Sequence, residues 1–165
     1  MDSTIADFSV SIDGITITEL RQISDERGSV LHMLRCDVPE FKGFGEVYFS
    51  EVLPGNIKAW KRHSVQTQNF AVPVGRIRLV IFDDREKSAT KGKLQILELG
   101  RPDAYLRVLI PPGLWYGFAC ISAMPALVAN CADFPHAPDE SETCSVNDPF
   151  IPYTWGLGRI NSGGS

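Results

Sequence analysis

Short strand-length runs, apolar or alternating apolar and polar, recur along this chain between turn signals. Ile15-Thr16-Ile17-Thr18-Glu19-Leu20 is the first such run, and period two marks a half-buried strand. Strands are also predicted over 29–34, 46–52, 57–63, 67–73, 76–83, 93–99, 105–110, 115–122 and 125–132. Turn signals separate them: Asp25-Glu26-Arg27-Gly28, Pro54-Gly55 and the polar loop from Asp83 to Ser88. Pro39 to Phe44 reads as a loop with at most one helical turn. Helical periodicity is almost absent. Many short strands at this spacing predict an all-β sandwich or barrel. After Pro135 the chain turns rich in Pro, Asp and Glu, and no strand is predicted there. Residues 1–8 and the tail 156–165 read as loose ends.

Composition narrows the class. The 165 residues fit one domain. A net charge of −4 without a basic run argues against nucleic acid as a partner. The longest apolar stretches are too short to span a membrane. Cys36, Cys120, Cys131 and Cys144 lie far apart with no CxxC. With no signal peptide apparent, they read as buried free thiols in a reducing cytosol, and a cytoplasmic location is expected.

The candidate chemistry concentrates between Gly55 and Gly75. Lys61 and His63 are two apart, so on a strand they share a face about 7 Å apart. Gln68 and Phe70 fall on the next strand. Two antiparallel strands meeting at a turn would bring Lys61, His63 and Gln68 toward one cavity. The spacing of Gly55, Lys61, His63, Gln68 and Gly75 resembles the first cupin motif, and Pro111-Pro112-Gly113-Leu114-Trp115-Tyr116 resembles part of the second. The ligand slots depart from the motif: Lys61 and Gln68 occupy two of them and Tyr116 a third. A protonated Lys has no lone pair and an amide is a weak ligand. No metal and no cofactor are therefore expected.

Six further pieces occur in order: Asp25-Glu26-Arg27-Gly28, Gly55 to Lys61, Gly75-Arg76-Ile77, Asp83-Asp84-Arg85 with Ser88, Ile110-Pro111-Pro112-Gly113 with Gly117-Phe118, and Asn147-Asp148-Pro149 with Trp155. Together they resemble the dTDP-4-dehydrorhamnose 3,5-epimerase (RmlC-like) family of cupins over residues 15–155. The resemblance implies a metal-free jelly-roll homodimer that exchanges N-terminal strands, here about 10–35. It implies epimerisation of a nucleotide-activated 4-keto hexose, in cell-surface polysaccharide or deoxysugar biosynthesis. It also places the family's catalytic His at Lys61, its partner Asp at Asp148, its active-site Arg at Lys58, its enolate-side Lys near Gln68, its catalytic Tyr at or near Phe134, and its phosphate-binding Arg at Arg27.

Epimerisation next to a ketone needs a base, a cation or donors for the enolate oxygen, and an acid on the opposite face. An ordinary Lys is neutral in only about one part in 2,500 at pH 7, and a neighbouring Asp148 would favour its charged form. Lys61 is therefore expected to hold the enolate oxygen. His63, with an intrinsic pKa near neutrality, is expected to remove the proton. Tyr116 or His136 is the expected acid. Lys58 has strand parity opposite to Lys61, so both can face one cavity only across a bulge. Arg27 and Glu46 are expected to grip diphosphate and base or sugar, with His32 a further candidate on the ligand and Asp83–Arg85 a structural pair. Two other readings compete: a non-catalytic cupin that binds sugar nucleotides, and a metal-dependent cupin enzyme.

Overall fold

The strand-length runs form strands, and these stack as two antiparallel sheets. The computed structural model describes residues 10–156; the loose ends expected at 1–8 and, apart from Gly156, at 156–165 lie outside the described residues. Twelve strands occur among them: β1 (Thr16–Glu19), β2 (Gln22–Asp25), β3 (Gly28–Leu31), β4 (Glu46–Val52), β5 (Ile57–His63), β6 (Gln68–Val74), β7 (Arg76–Phe82), β8 (Leu94–Gly100), β9 (Leu106–Ile110), β10 (Trp115–Cys120), β11 (Ala126–Ala132) and β12 (Ser141–Thr143). One sheet has the order β1-β9-β6-β11-β4 and the other β12-β5-β10-β7-β8. The hairpin β2-β3 pairs with neither. The only helical segment among the described residues is one 3-10 turn, Pro138–Glu140, and the loop at 39–44 has none.

The main core lies between the sheets. Phe70, Val72, Ile77, Leu79, Val108 and Ile110 are buried there. Each such side chain stabilises the fold by about 1.5–3 kcal/mol relative to exposure. A second cluster covers the outer face of the sheet containing β5. There Trp60, Val80, Phe82 and Trp115 pack under the returning segment that carries Ile151, Tyr153 and Trp155. Covering both faces explains why β7 and β10 read as nearly unbroken apolar runs.

Two expectations need correction. β5 and β6 do not pair: Ser64 to Thr67 carries the chain from one sheet to the other. The thiols are free, but Cys36 is exposed and Cys144 only partly buried. Asp83 and Arg85 do form the structural pair. The fully buried Asp83 carboxylate accepts from Arg85 Nε at 2.9 Å, Ser88 Oγ at 2.5 Å and Thr90 Oγ1 at 2.7 Å. Burial alone would raise its pKa, but these donors outweigh burial and hold it well below the usual carboxylate range.

Candidate active site

A cavity of roughly 310 Å³ opens between the two sheets. Tyr48 and Ser50 of β4, Phe70 of β6 and Asn130 of β11 wall one side. Lys58 and Lys61 of β5, Tyr116 of β10 and Thr143 of β12 wall the other. Among the described residues two lysines and no carboxylate line it, so its field favours an anionic ligand or an oxyanion.

The two lysines reach one cavity as the parity argument required. Lys61 pairs with Tyr116 across β5 and β10, while Lys58 pairs with Phe118. Three steps on β5 therefore match two on β10, which is a bulge with its extra residue on β5. Gly117 sits at this bulge. A Cβ there would lie 2.4 Å from Cβ of Ala59, so only glycine fits. Lys58 donates to Ser50 Oγ at 2.9 Å.

Behind the Tyr116 side of the cavity runs a polar chain. Glu140 is fixed by the backbone N–H groups of Val65 and Gln66, which it accepts at 3.2 and 3.3 Å. Its other carboxylate oxygen accepts from His63 Nδ1. His63 Nε2 lies 2.9 Å from the Tyr116 hydroxyl. Burial pushes the His63 imidazole below its ordinary 6.5. The Glu140 hydrogen bond and charge oppose this, and the positive fields of Lys61 and His136 reinforce it. Glu140 is held below its ordinary value: burial opposes ionisation, but the donors from His63, Val65 and Gln66 outweigh it. Neutral His63 with its proton on Nδ1 leaves a lone pair on Nε2, so Tyr116 donates to it. Burial also raises the Tyr116 phenol well above 10, which keeps it protonated at rest.

The expected site residues divide accordingly. Lys58, Lys61 and Tyr116 share the cavity. His63 does not present a free nitrogen to it: the residue is 3% exposed and both ring nitrogens are engaged. Burial between two strands puts it behind Tyr116 instead. Asp148 does not meet Lys61. Its carboxylate accepts the backbone N–H of Phe150 at 3.0 Å in the loop outside the sheet, and no ion pair joins the two. Gln68 is buried beside the cavity, where its Nε2 donates to Gln66 Oε1 at 3.0 Å and its Oε1 accepts from Asn130. Phe134 is 51% exposed, and only its carbonyl takes part, accepting Gln66 Nε2 at 2.8 Å. His136 is exposed and reaches the site only through its field on His63. Glu46 is partly buried at the start of β4, outside the cavity wall. Arg27 projects from the β2-β3 turn, its side chain 83% exposed and paired with Asp25 at 2.5 Å. His32 is placed outside the cavity, with its carbonyl accepting the Tyr105 hydroxyl at 2.8 Å. Tyr48, Asn130 and Glu140 were missed. Tyr48 escaped the alternation rule, because β4 turns Tyr48 and Ser50 to the cavity and exposes the more apolar Val47 and Phe49. Glu140 sits in a stretch with no periodicity. Among the described residues no three His, Cys, Asp or Glu side chains converge on a point, and no helix is long and apolar enough to cross a membrane.

Residues 9–163 match the sequence family described as dTDP-4-dehydrorhamnose 3,5-epimerase. The chain belongs to this family. It is thus a carbohydrate epimerase, an isomerase, and its two sheets form the family's RmlC-like cupin fold. The epimerase is similar to the crystal structure of a dTDP sugar isomerase from Desulfovibrio desulfuricans G20, with a TM-score of 0.86 and 58% identity covering 87% of this chain and 92% of that one. It is 30% identical over 146 residues to the spore coat polysaccharide biosynthesis protein SpsL of Bacillus subtilis, covering 87% and 96% of the two chains. The epimerase from Legionella pneumophila Philadelphia 1, solved with dTDP-4-keto-L-rhamnose, shares its fold at a TM-score of 0.79 and 24% identity, covering 91% and 82%.

Proposed function

We propose that the epimerase inverts a carbon next to the ketone of a dTDP-linked 4-keto hexose, with a catalytic set that departs from the family's. The observation that carries this reading is the Glu140–His63–Tyr116 chain, which ends on the cavity wall beside Lys61. Tyr116 removes the proton: the C–H bond breaks, its electrons form the enolate, and the proton passes to the Tyr116 oxygen. The phenol's own proton moves to His63 Nε2. Glu140 fixes the tautomer and stabilises the imidazolium, a logic shared with other hydroxyl–His–carboxylate triads. Lys61 holds the enolate oxygen, and among the described residues no carboxylate on its side of the cavity competes. Lys58 supplies a second cation for the anionic nucleotide.

The substrate class is supported by what the relatives are: a dTDP sugar isomerase at 58% identity, and a fold relative solved with a dTDP-4-keto sugar. The SpsL likeness favours cell-surface polysaccharide biosynthesis as the setting. Four free thiols suit a cytoplasmic location. Incubation with dTDP-, GDP-, CDP- and UDP-linked 4-keto hexoses, followed by NMR of the sugar, tests the reading. An epimeric product from the dTDP sugar is expected. Tight binding of the nucleotide with no epimer from any of the four would favour a binding protein.

The same reading makes the chain one domain that acts as a homodimer. The β2-β3 hairpin stands apart from both sheets and exposes Ile23 and Val30, while β4 exposes Val47 and Phe49 on its outer face. A partner subunit would cover these side chains and receive Arg27 at the nucleotide end of its cavity. Light scattering should give twice the chain mass, and a monomer at micromolar concentration would refute the exchange.

A further inference from the structure

The cavity contains a second tyrosine whose hydrogen bonding is the opposite of Tyr116's. Tyr48 stands on the facing sheet, directly across the β4–β11 pair from Asn130. Asn130 Nδ2 donates to the Tyr48 hydroxyl at 2.8 Å and to Gln68 Oε1, and its Oδ1 accepts the backbone N–H of Asn69 at 3.3 Å. The direction of this network is set at its far end. The Phe134 carbonyl can only accept, so Gln66 must turn its Nε2 toward it. Gln66 Oε1 then accepts from Gln68 Nε2, and Gln68 Oε1 accepts from Asn130. The amide orientations follow one from another, and the Tyr48 oxygen is left as an acceptor. Among the described residues its own O–H hydrogen has no partner, and Tyr48 lines the cavity. Tyr116, on the other wall, spends its hydrogen on His63 and offers lone pairs inward.

From this opposed polarity we propose that Tyr48 is the proton donor that completes inversion, placed by Asn130 on the face of the sugar opposite Tyr116. This rests on the epimerase reading above. The Tyr48 O–H bond breaks as a new C–H bond forms on the far face of the enolate carbon. The electrons come from the enolate, whose ketone is restored, and the phenolate left behind is held by Asn130 Nδ2. After product leaves, solvent reprotonates Tyr48, and the extra proton held by the Tyr116–His63 pair returns to solvent through the emptied cavity. Burial keeps the Tyr48 phenol above its ordinary value, so it starts each turnover with its proton in place.

Tyr48→Phe in D₂O with a dTDP-linked 4-keto sugar separates this role from a structural one. Without the far-face donor the enolate regains a proton only from the Tyr116 side. Deuterium should therefore still enter next to the ketone with the starting configuration kept, while the inverted product falls by roughly 10²–10⁴-fold. Asn130→Asp gives an independent check, because its carboxylate draws the Tyr48 hydrogen away from the cavity. It should show the same uncoupling in protein that is still folded by circular dichroism, although the buried carboxylate facing Gln68 Oε1 lowers its melting temperature. Inversion at the wild-type rate in both variants would overturn the proposal, as would equal loss of exchange and inversion in folded Tyr48→Phe. A wild-type protein that neither exchanges nor inverts would overturn the epimerase reading as well, so the two failures are distinguishable.

Discussion

Replacing Tyr116 with Phe will lower epimerisation by roughly 10²–10⁴-fold, the usual cost of losing a general base, and will suppress deuterium exchange equally. Both fall together because the lost group acts in the first step. Binding should survive, since the ring keeps its edge contact with Phe70 at 5.2 Å between centroids. The pH profile supplies a second readout. His63 must be neutral to receive the Tyr116 proton, and burial holds its pKa below 6.5. Activity should thus persist as pH falls through 6.5 and decline only on the more acidic side, where His63 gains its proton. That limb should vanish from the residual rate of Tyr116→Phe. Steady-state kinetics and thermal melting across pH check both statements. A Tyr116→Phe variant near wild-type activity would place the proton transfer elsewhere in the cavity.

The second large effect belongs to Lys61. Lys61→Met should cost about 10²–10³-fold in kcat, the range found when one oxyanion donor is removed. The loss appears in kcat because the charge it opposes develops only at the transition state. Lys61→Arg should keep part of the rate, because a cation survives even though its planar shape differs. An inactive Lys61→Arg beside an active Tyr116→Phe would instead identify Lys61 as the base.

The strands were legible because short apolar or alternating runs between Pro, Gly and polar turn signals mark them whichever face is buried. β4 and β5 were predicted to the residue. β12 was not, because three residues at a sheet edge carry too little periodicity, and Glu140 was lost with it. The partnership of Lys61 and Asp148 failed for a different reason. Proximity between distant segments depends on how the Cys144–Trp155 return packs against Trp60 and Trp115, and no local pattern encodes that. Parity correctly demanded a bulge before Lys58 and Lys61 could share a cavity. It could not say that His63, on the same face as Lys61, would be buried behind Tyr116. The opposed hydrogen bonding of Tyr48 and Tyr116 is likewise a property of four amide and imidazole orientations, which only the assembled structure fixes.

Solvent deuterium incorporation tests the central claim most directly. The wild-type protein and Tyr116→Phe would each be incubated in D₂O with a dTDP-linked 4-keto hexose and followed by NMR. Deuterium should appear at a carbon next to the ketone in the wild type, with inversion there, and be suppressed in the variant. Tight binding of the nucleotide sugar by the wild type with no deuterium at either neighbouring carbon would contradict it.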